Sequence, residues 1–372
     1  MRIVYFTHSL ASCWNHGNAH FLRGILRDLR RRGHDAVAHE PETGWSRENL
    51  VGDHGAEPLR RFAETFPDLA TQAYGPDFDP ASALDGADLV IVHEWADPAL
   101  VARIGRARRA GGRFVLLFHD THHRAVSEPE AMKALDIADY DGVLAFGESL
   151  SEVYRGWGWG DRVFTWHEAA DTSHFQPPRE EGPRDGLVWI GNWGDGERTA
   201  ELDEFLFAPA QAEGVSLTVH GVRYPDEALA TLKARGADYR GWLPNAEAPR
   251  VFARHMATVH VPRRLYVDLL PGIPTIRVFE ALACGIPLLS APWQDAEGLF
   301  RPGRDYLVAR TGEEMRRHIR AVVNDPGLRA SLISSGLETI RARHSCAHRV
   351  DELLAIVDSI GGRNTASAQE VA

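Results

Sequence analysis

The chain has 372 residues, 44% of them hydrophobic and 25% charged, and 41 Lys and Arg stand against 52 Asp and Glu for a formal net charge of −11. This composition excludes a largely disordered chain, a collagen and a disulfide-stapled miniprotein, and the length suits about two domains. The acidic balance leaves no global footprint for a polyanion, so no nucleic-acid partner is expected, and only a local basic groove would change that.

Three widely spaced cysteines, Cys13, Cys284 and Cys346, occur without a C-x-x-C and form no disulfide framework, which points to a reducing compartment. The first residues already read as a strand, with no basic segment followed by a hydrophobic run. No apolar stretch approaches the ~18 residues of a membrane span. A cytoplasmic location is expected. Peripheral membrane contact stays open through the basic helix face of Arg27, Arg30, Arg31 and Arg32.

In chain order, residues 3–6 read as a strand and 7–17 as a polar loop holding His8, Ser9, Ser12, Asn15 and His16. Phe21, Leu22, Ile25, Leu26 and Leu29 then recur at helical spacing, and Gly33 suits the C′ position. Strands follow at 35–39, 88–92, 113–118, 142–146 and 163–166. Helices are expected at 98–110, closed by Gly111 and Gly112, and at 148–155. Strands apolar on both faces, alternating with helices, imply a parallel sheet covered on both sides.

Residues 176–186 are rich in Pro, Gly and charge and read as a linker. Alternation restarts with strands at 187–190, 216–220, 258–261 and 287–290 and helices at 198–207, 225–234 and 276–284. Three successive helical stretches, 313–323, 327–342 and 348–360, close the chain. The expected fold class is α/β, with two Rossmann-like doubly wound domains facing a cleft. Residues 1–175 form the first domain, 176–186 the linker and 187–345 the second domain. Residues 346–360 form a terminal helix packing back toward the first domain, and 361–372 a frayed tail. In such sheets ligands sit beyond the carboxyl ends of the strands.

Two clusters fall at strand ends. In the second half, Pro271 and Gly272 lead into a helix with Thr275 as candidate N-cap, and Arg277 and Glu280 share one face of its first turns. A helix N-terminus suits a diphosphate, and a carboxylate one turn on can accept from ribose hydroxyls. An ordinary αβ unit with a surface ion pair is the alternative reading of the same spacing. In the first half, Phe118-His119-Asp120-Thr121-His122-His123-Arg124 follows a strand. It reads as an acceptor or phosphate site with a general base, or as a solvated polar loop. A metal site is expected at neither cluster: the adjacent His122 and His123 point different ways, and no E-x-x-H spacing occurs. His8, His16, Gly17 and Asn18, the His93-Glu94-Trp95 loop and the His167-Glu168 pair belong to the same rim. Trp193 is a candidate for stacking on a sugar.

The run Arg277-Val278-Phe279-Glu280-Ala281-Leu282-Ala283-Cys284-Gly285-Ile286-Pro287-Leu288 resembles the FEAxACGxPL motif of group 1 glycosyltransferases of the GT-B fold. Gly303-Arg304-Asp305-Tyr306 and His344-Ser345-Cys346-Ala347-His348-Arg349 resemble the branch that includes the CgeB-like spore-maturation proteins. Similarity around Gly17-Asn18 and Gly33-His34 is weaker. The resemblance covers most of the chain and is specific at 277–306 and 344–349.

That resemblance implies a metal-independent glycosyltransferase without cofactor, moving a sugar from a nucleotide-sugar donor to a saccharide or other hydroxyl acceptor. It implies that Glu280 holds the donor ribose and that Gly272, Thr275 and Arg277 face the diphosphate. The earlier acidic residue of the family's E-x7-E pattern falls at Gly272. Arg198 is the one cation of the loop 191–198, where relatives carry a diphosphate clamp. Asn192 in that loop and Arg263 just after the strand 258–261 join the donor set. In the first domain His119, Asp120 or His16 would be the base of an inverting reaction, with Gly17, Asn18, Glu94 and His122 on the acceptor side. Retention and inversion both stay open. The rival readings are a nucleotide-sugar epimerase on the same fold and a non-catalytic nucleotide-binding partner in polysaccharide assembly.

Overall fold

The computed structural model describes residues 1–370 apart from His16, Glu181 and Asp195, and only the backbone over 363–370. The chain forms two compact units. The first comprises Met1–Glu168 with Cys346–Ala372, and the second Ala169–Ser345.

The first unit is built on seven strands: β1 (Arg2–Phe6), β2 (Asp35–Pro41), β3 (Ala70–Tyr74), β4 (Leu89–His93), β5 (Val115–Asp120), β6 (Gly142–Ala145) and β7 (Val163–Thr165). They pair in parallel in the order β3-β2-β1-β4-β5-β6-β7. β4 and β6 are buried at every position, as their uninterrupted apolar runs require in a sheet covered on both faces. Strand order reverses between β1 and β4, so the loops after these two strands diverge and leave a crevice at their carboxyl ends.

The second unit repeats the plan with six parallel strands: β8 (Leu187–Ile190), β9 (Leu217–His220), β10 (Asp238–Tyr239), β11 (Ala257–His260), β12 (Leu288–Ser290) and β13 (Leu307–Val308). Their order is β10-β9-β8-β11-β12-β13, with the reversal between β8 and β11. Its core joins Leu187, Trp189, Phe205, Phe207, Val219, Val259 and Leu289 with Met315 and Ile319 from the helix Gly312–Asn324.

Three strands escape the periodicity of the sequence. β3 is an edge strand without a fully buried residue, and β10 and β13 have two residues each. The unit boundary also corrects the expected linker. The chain leaves the first unit after Glu168, ahead of 176–186, because 169–175 is tied to the second unit. The Ala170 N–H donates to the His344 carbonyl at 2.9 Å, and Ala170 bridges to Ser345.

The last helix, Cys346–Glu370, runs on past residue 360, where a frayed tail is expected from sequence. It belongs to the first unit. Arg32, the C-cap of the helix Ala19–Arg31, pairs with Asp351 and donates to the Ala347 carbonyl, and Trp166 Nε1 donates to the Arg349 carbonyl at 2.9 Å. Among the described residues no helix is long and apolar enough to cross a membrane.

Candidate active site

In the second unit the helix Ile276–Ala283 begins at Thr275, which has N-cap backbone geometry but makes no side-chain cap bond. The Thr275 side chain thus leaves the first-turn N–H groups uncapped, the arrangement that attracts an anion. Glu280, one turn on, is fully buried. Its Oε1 accepts from Asn245 Nδ2 at 2.7 Å and its Oε2 pairs with Arg277. Burial pushes the Glu280 carboxyl above its ordinary range, and Arg277 and the Asn245 amide pull against that. Asn245 enters from a segment 35 residues upstream, which no local spacing reveals.

The loop after β8 is ordered by Arg198. Its guanidinium donates to the Asn192 carbonyl at 2.9 Å, to Asn192 Oδ1 at 2.6 Å and to the Val261 carbonyl at 3.1 Å. It lies 5.1 Å over the Trp189 ring. Burial, then the charge of Arg263, lowers its pKa to about 10. Gly194 is required here: its φ is +91, and an added Cβ would stand 2.6 Å from the Arg198 stem. Arg263 pairs with Glu197 at 2.9 Å. Trp193 is buried and stacks on Phe207 in the core, so its ring offers a sugar no face. At Gly272 φ is +95, and Ala296 Cβ and Glu297 Oε1 lie 3.3 and 3.4 Å from an added Cβ. The position is glycine by backbone and by space, and a carboxylate from elsewhere in the chain stands over it.

In the first unit, β5 splits its last two side chains between opposite faces. His119 turns inward. Its Nδ1 meets the Tyr5 hydroxyl, and Phe21, His93 and Trp166 enclose its ring at 6.1, 5.5 and 4.9 Å. Burial drives its pKa down to about 3, so the imidazole is neutral.

Asp120 turns the other way. Its Oδ1 accepts from the His122 N–H at 3.0 Å and its Oδ2 from the Tyr154 hydroxyl at 2.7 Å. Burial pushes its carboxyl up to about 6, against the pull of those two donors and of Arg124. Glu94, after β4, is also buried. Burial, then the charge of Asp120, holds it well above the usual carboxylate range, and Arg124 at 3.3 Å works in the opposite direction. Two buried carboxyls thus repel each other beside one arginine, so one of them keeps its proton more readily than the other. Arg124 also lies 4.4 Å over the ring of Trp95, which is 45% exposed, and the rings of His8 and His122 flank Trp95 at 6.3 and 5.4 Å.

The structure therefore brings Asp120, His122 and Glu94 together and adds Arg124, Tyr154 and Trp95. Asn18 stands at the N-cap position of the helix Ala19–Arg31 with Gly17 just ahead of it. Its amide donates to Glu168 at 2.9 Å and so closes the loop after β1 onto the segment after β7. His16 lies outside the described residues. Among the described residues no three His, Cys, Asp or Glu side chains are grouped to hold a metal ion.

Residues 198–355 match the family model described as "Glycosyl transferase-like". No curated protein matches the chain. Among solved structures, HepE of Anabaena in complex with UDP and glucose superposes with a TM-score of 0.69 at 13% identity, over 96% of this chain and 100% of that one. An α-glucosyltransferase in complex with UDP gives 0.70 at 11% identity, over 96% and 100%. The β-glucosyltransferase of phage T4 with UDP-glucose gives 0.59 at 13% identity, with the same coverage. The fold is the GT-B fold, two Rossmann-like units on parallel sheets.

Proposed function

We propose that this chain transfers a glycosyl group from a UDP-sugar to a hydroxyl acceptor, without a metal or cofactor. The observation that carries the reading is the buried Glu280 carboxylate, held by Asn245 and Arg277 one turn into a helix whose start is uncapped, inside the segment that matches the glycosyl transferase-like family. A carboxylate so placed accepts from ribose hydroxyls, while Arg277 and the first-turn N–H groups offset the negative charge that builds on the leaving diphosphate. The uridine base comes to this reading from the neighbours, whose structures hold UDP or UDP-glucose. The narrower placement in the CgeB-like branch rests on residues 277–306 and 344–349. There Asp305 is buried and bound by Arg301, Ser335 and Thr339.

The acceptor belongs to the first unit in this proposal. Asp120 is the base, since it is the carboxylate that ionises near neutrality and sits at the carboxyl end of a strand. His119 is enclosed by aromatic rings and is given a structural part instead. An exposed Trp95 backed by Arg124 suits a saccharide face, and the net charge of −11 opposes DNA as acceptor. Both an α- and a β-glucosyltransferase share the fold, so the fold leaves the stereochemical course open.

Calorimetry with UDP, UDP-glucose and uridine tests the donor half. UDP should bind far more tightly than uridine, and Glu280→Gln should weaken UDP at least tenfold. Chelation should leave transfer from labelled UDP-sugar unchanged. Absence of UDP binding, or a chelation loss restored by one divalent ion, would overturn the corresponding part.

A further inference from the structure

His260 ends β11 and lies opposite Ser290 in the register with β12. It is 3% exposed. Its Nδ1 is 3.0 Å from Ser290 Oγ, and Ser290 Oγ is 2.8 Å from the Ala291 carbonyl. A serine hydroxyl has one hydrogen, and here it donates to that carbonyl. The Ser290 oxygen therefore accepts, and His260 Nδ1 carries the ring proton. A neutral imidazole has only one N–H, so Nε2 presents a lone pair. That atom is buried and, among the described residues, has no hydrogen-bond partner.

The surroundings keep the ring neutral. Burial lowers the His260 pKa to about 3, and the charges of Arg198 and Arg277 push the same way. Those two guanidiniums, on the loop after β8 and on the helix Ile276–Ala283, are the charged groups among the described residues that act on it. Arg277 is partnered by Glu280 and Arg198 by backbone carbonyls. The Trp293 ring closes another side edge-on at 6.1 Å.

A buried acceptor without a partner is unfavourable, so such an atom in a ligand site is expected to meet a donor in the bound state. A phosphate oxygen cannot serve, since it only accepts. A hydroxyl can. We infer that His260 is a further ligand-contacting residue of the donor site, its Nε2 accepting a hydrogen bond from a hydroxyl of the transferred sugar. The inference rests on the reading of this unit as the UDP-sugar site. There Glu280 takes the ribose, and the other hydroxyl-bearing group next to the diphosphate is the sugar itself. His260 then discriminates the sugar-bearing donor from the spent nucleotide.

The test compares UDP-glucose with UDP by calorimetry on the wild-type chain, His260→Phe and Ser290→Ala. Phe keeps a ring and removes the acceptor. Ala at 290 removes the oxygen that fixes the tautomer and leaves His260 in place. UDP-glucose should weaken at least fivefold in both variants and UDP less than twofold, the ratio expected for one hydrogen bond of about 1 kcal/mol. Equal weakening of both ligands would assign the hydroxyl to ribose and overturn the inference, and so would unchanged affinities.

Because a variant can fail to fold, nitrogen-15 spectra of the wild-type imidazole give a second readout. The Nδ1–H tautomer should hold from pH 8 to pH 5, and UDP-glucose, unlike UDP, should shift the Nε2 resonance. An imidazolium pattern on binding would mean that His260 meets phosphate and would overturn the inference. If the wild-type chain binds UDP-glucose with neither variant nor spectrum responding, only this inference falls. If it binds neither ligand, the donor-site reading falls and takes the inference with it.

Discussion

The Tyr154 hydroxyl donates to Asp120 Oδ2 at 2.7 Å across 34 residues of sequence. The bond favours the ionised carboxyl, while burial favours the protonated one and prevails, leaving Asp120 at about 6. As the proposed base, Asp120 works only when ionised, so transfer should fall as pH drops through about 6. Tyr154→Phe removes one donor and should move that acidic limb to higher pH. Asp120→Asn should lower the transfer rate by about 10² to 10⁴, the usual contribution of a general base, with UDP affinity unchanged. Rate profiles and calorimetry on the two variants check this, and a variant losing donor affinity as strongly as rate would place Asp120 on the donor side.

The same shift has a consequence for stability. A carboxyl whose folded pKa lies above its unfolded value of roughly 3.9 favours folding fully only below that value, and the contribution fades as pH rises through about 6. Asp120→Asn removes the penalty of ionising a buried group. Its Tm should exceed the wild-type Tm at pH 8, and the gain should vanish below about pH 4. Thermal unfolding at both pH values decides it, and an equal or lower Tm at pH 8 would contradict the assigned direction.

His119 differs from Asp120 by one position and by everything around it. His119→Phe should leave UDP binding intact and transfer within a few-fold, since an aromatic ring still fills the space among Phe21, His93 and Trp166. The His119 pKa is lowered in the fold, so its unfolded form takes up protons first and stability falls as pH drops below about 6.5. The Phe variant should flatten that fall by up to about 1.4 kcal/mol per pH unit. A collapse of transfer in this variant with normal folding would return His119 to the catalytic set.

These pairs show what a linear reading reaches. The sequence placed β1, β4, β5, β8 and β11 because each is an apolar run bounded by polar loops, and strand-end loops then carried the candidate residues. It also set Arg277 and Glu280 on one helical face, since that pairing is local. It could not reach Asn245 or Tyr154, which arrive through tertiary packing from 35 and 34 residues away. Nor could it tell His119 from Asp120. Strand alternation puts them on opposite faces, but which face is lined by Phe21 and Trp166 depends on how helices cover the sheet.

Arg277 and Arg198 should separate by function. Arg277 is partly open and touches one carboxylate, so Arg277→Ala should weaken UDP more than uridine. Arg198 is buried and holds Asn192 and Val261 in place. Arg198→Ala should lower the Tm by several degrees and weaken UDP and uridine alike, because the loop after β8 loses its tie. Calorimetry with both ligands on both variants reads the difference, and a selective loss of UDP in the Arg198 variant would make it a direct phosphate ligand.

Gly272 stands where the resembling family carries a glutamate, and restoring that residue should fail. With φ at +95 any side chain strains the backbone, by about 1–2 kcal/mol. An added Cβ would meet Ala296 at 3.3 Å, and the new carboxylate would enter beside Glu297, whose Oε1 already lies 3.4 Å from that Cβ. Like charges so close disfavour each other further. Gly272→Glu should therefore lower the Tm more than Gly272→Ala, which carries the backbone strain without the charge. Neither variant should bind UDP-glucose more tightly than the wild-type chain. Glu297→Gln completes the set. If the carboxylate over Gly272 serves the donor sugar, this variant weakens UDP-glucose and spares UDP. A Gly272→Glu variant with wild-type Tm and tighter UDP-glucose binding would show that the site lacks a carboxylate it can accommodate, against the packing around residue 272.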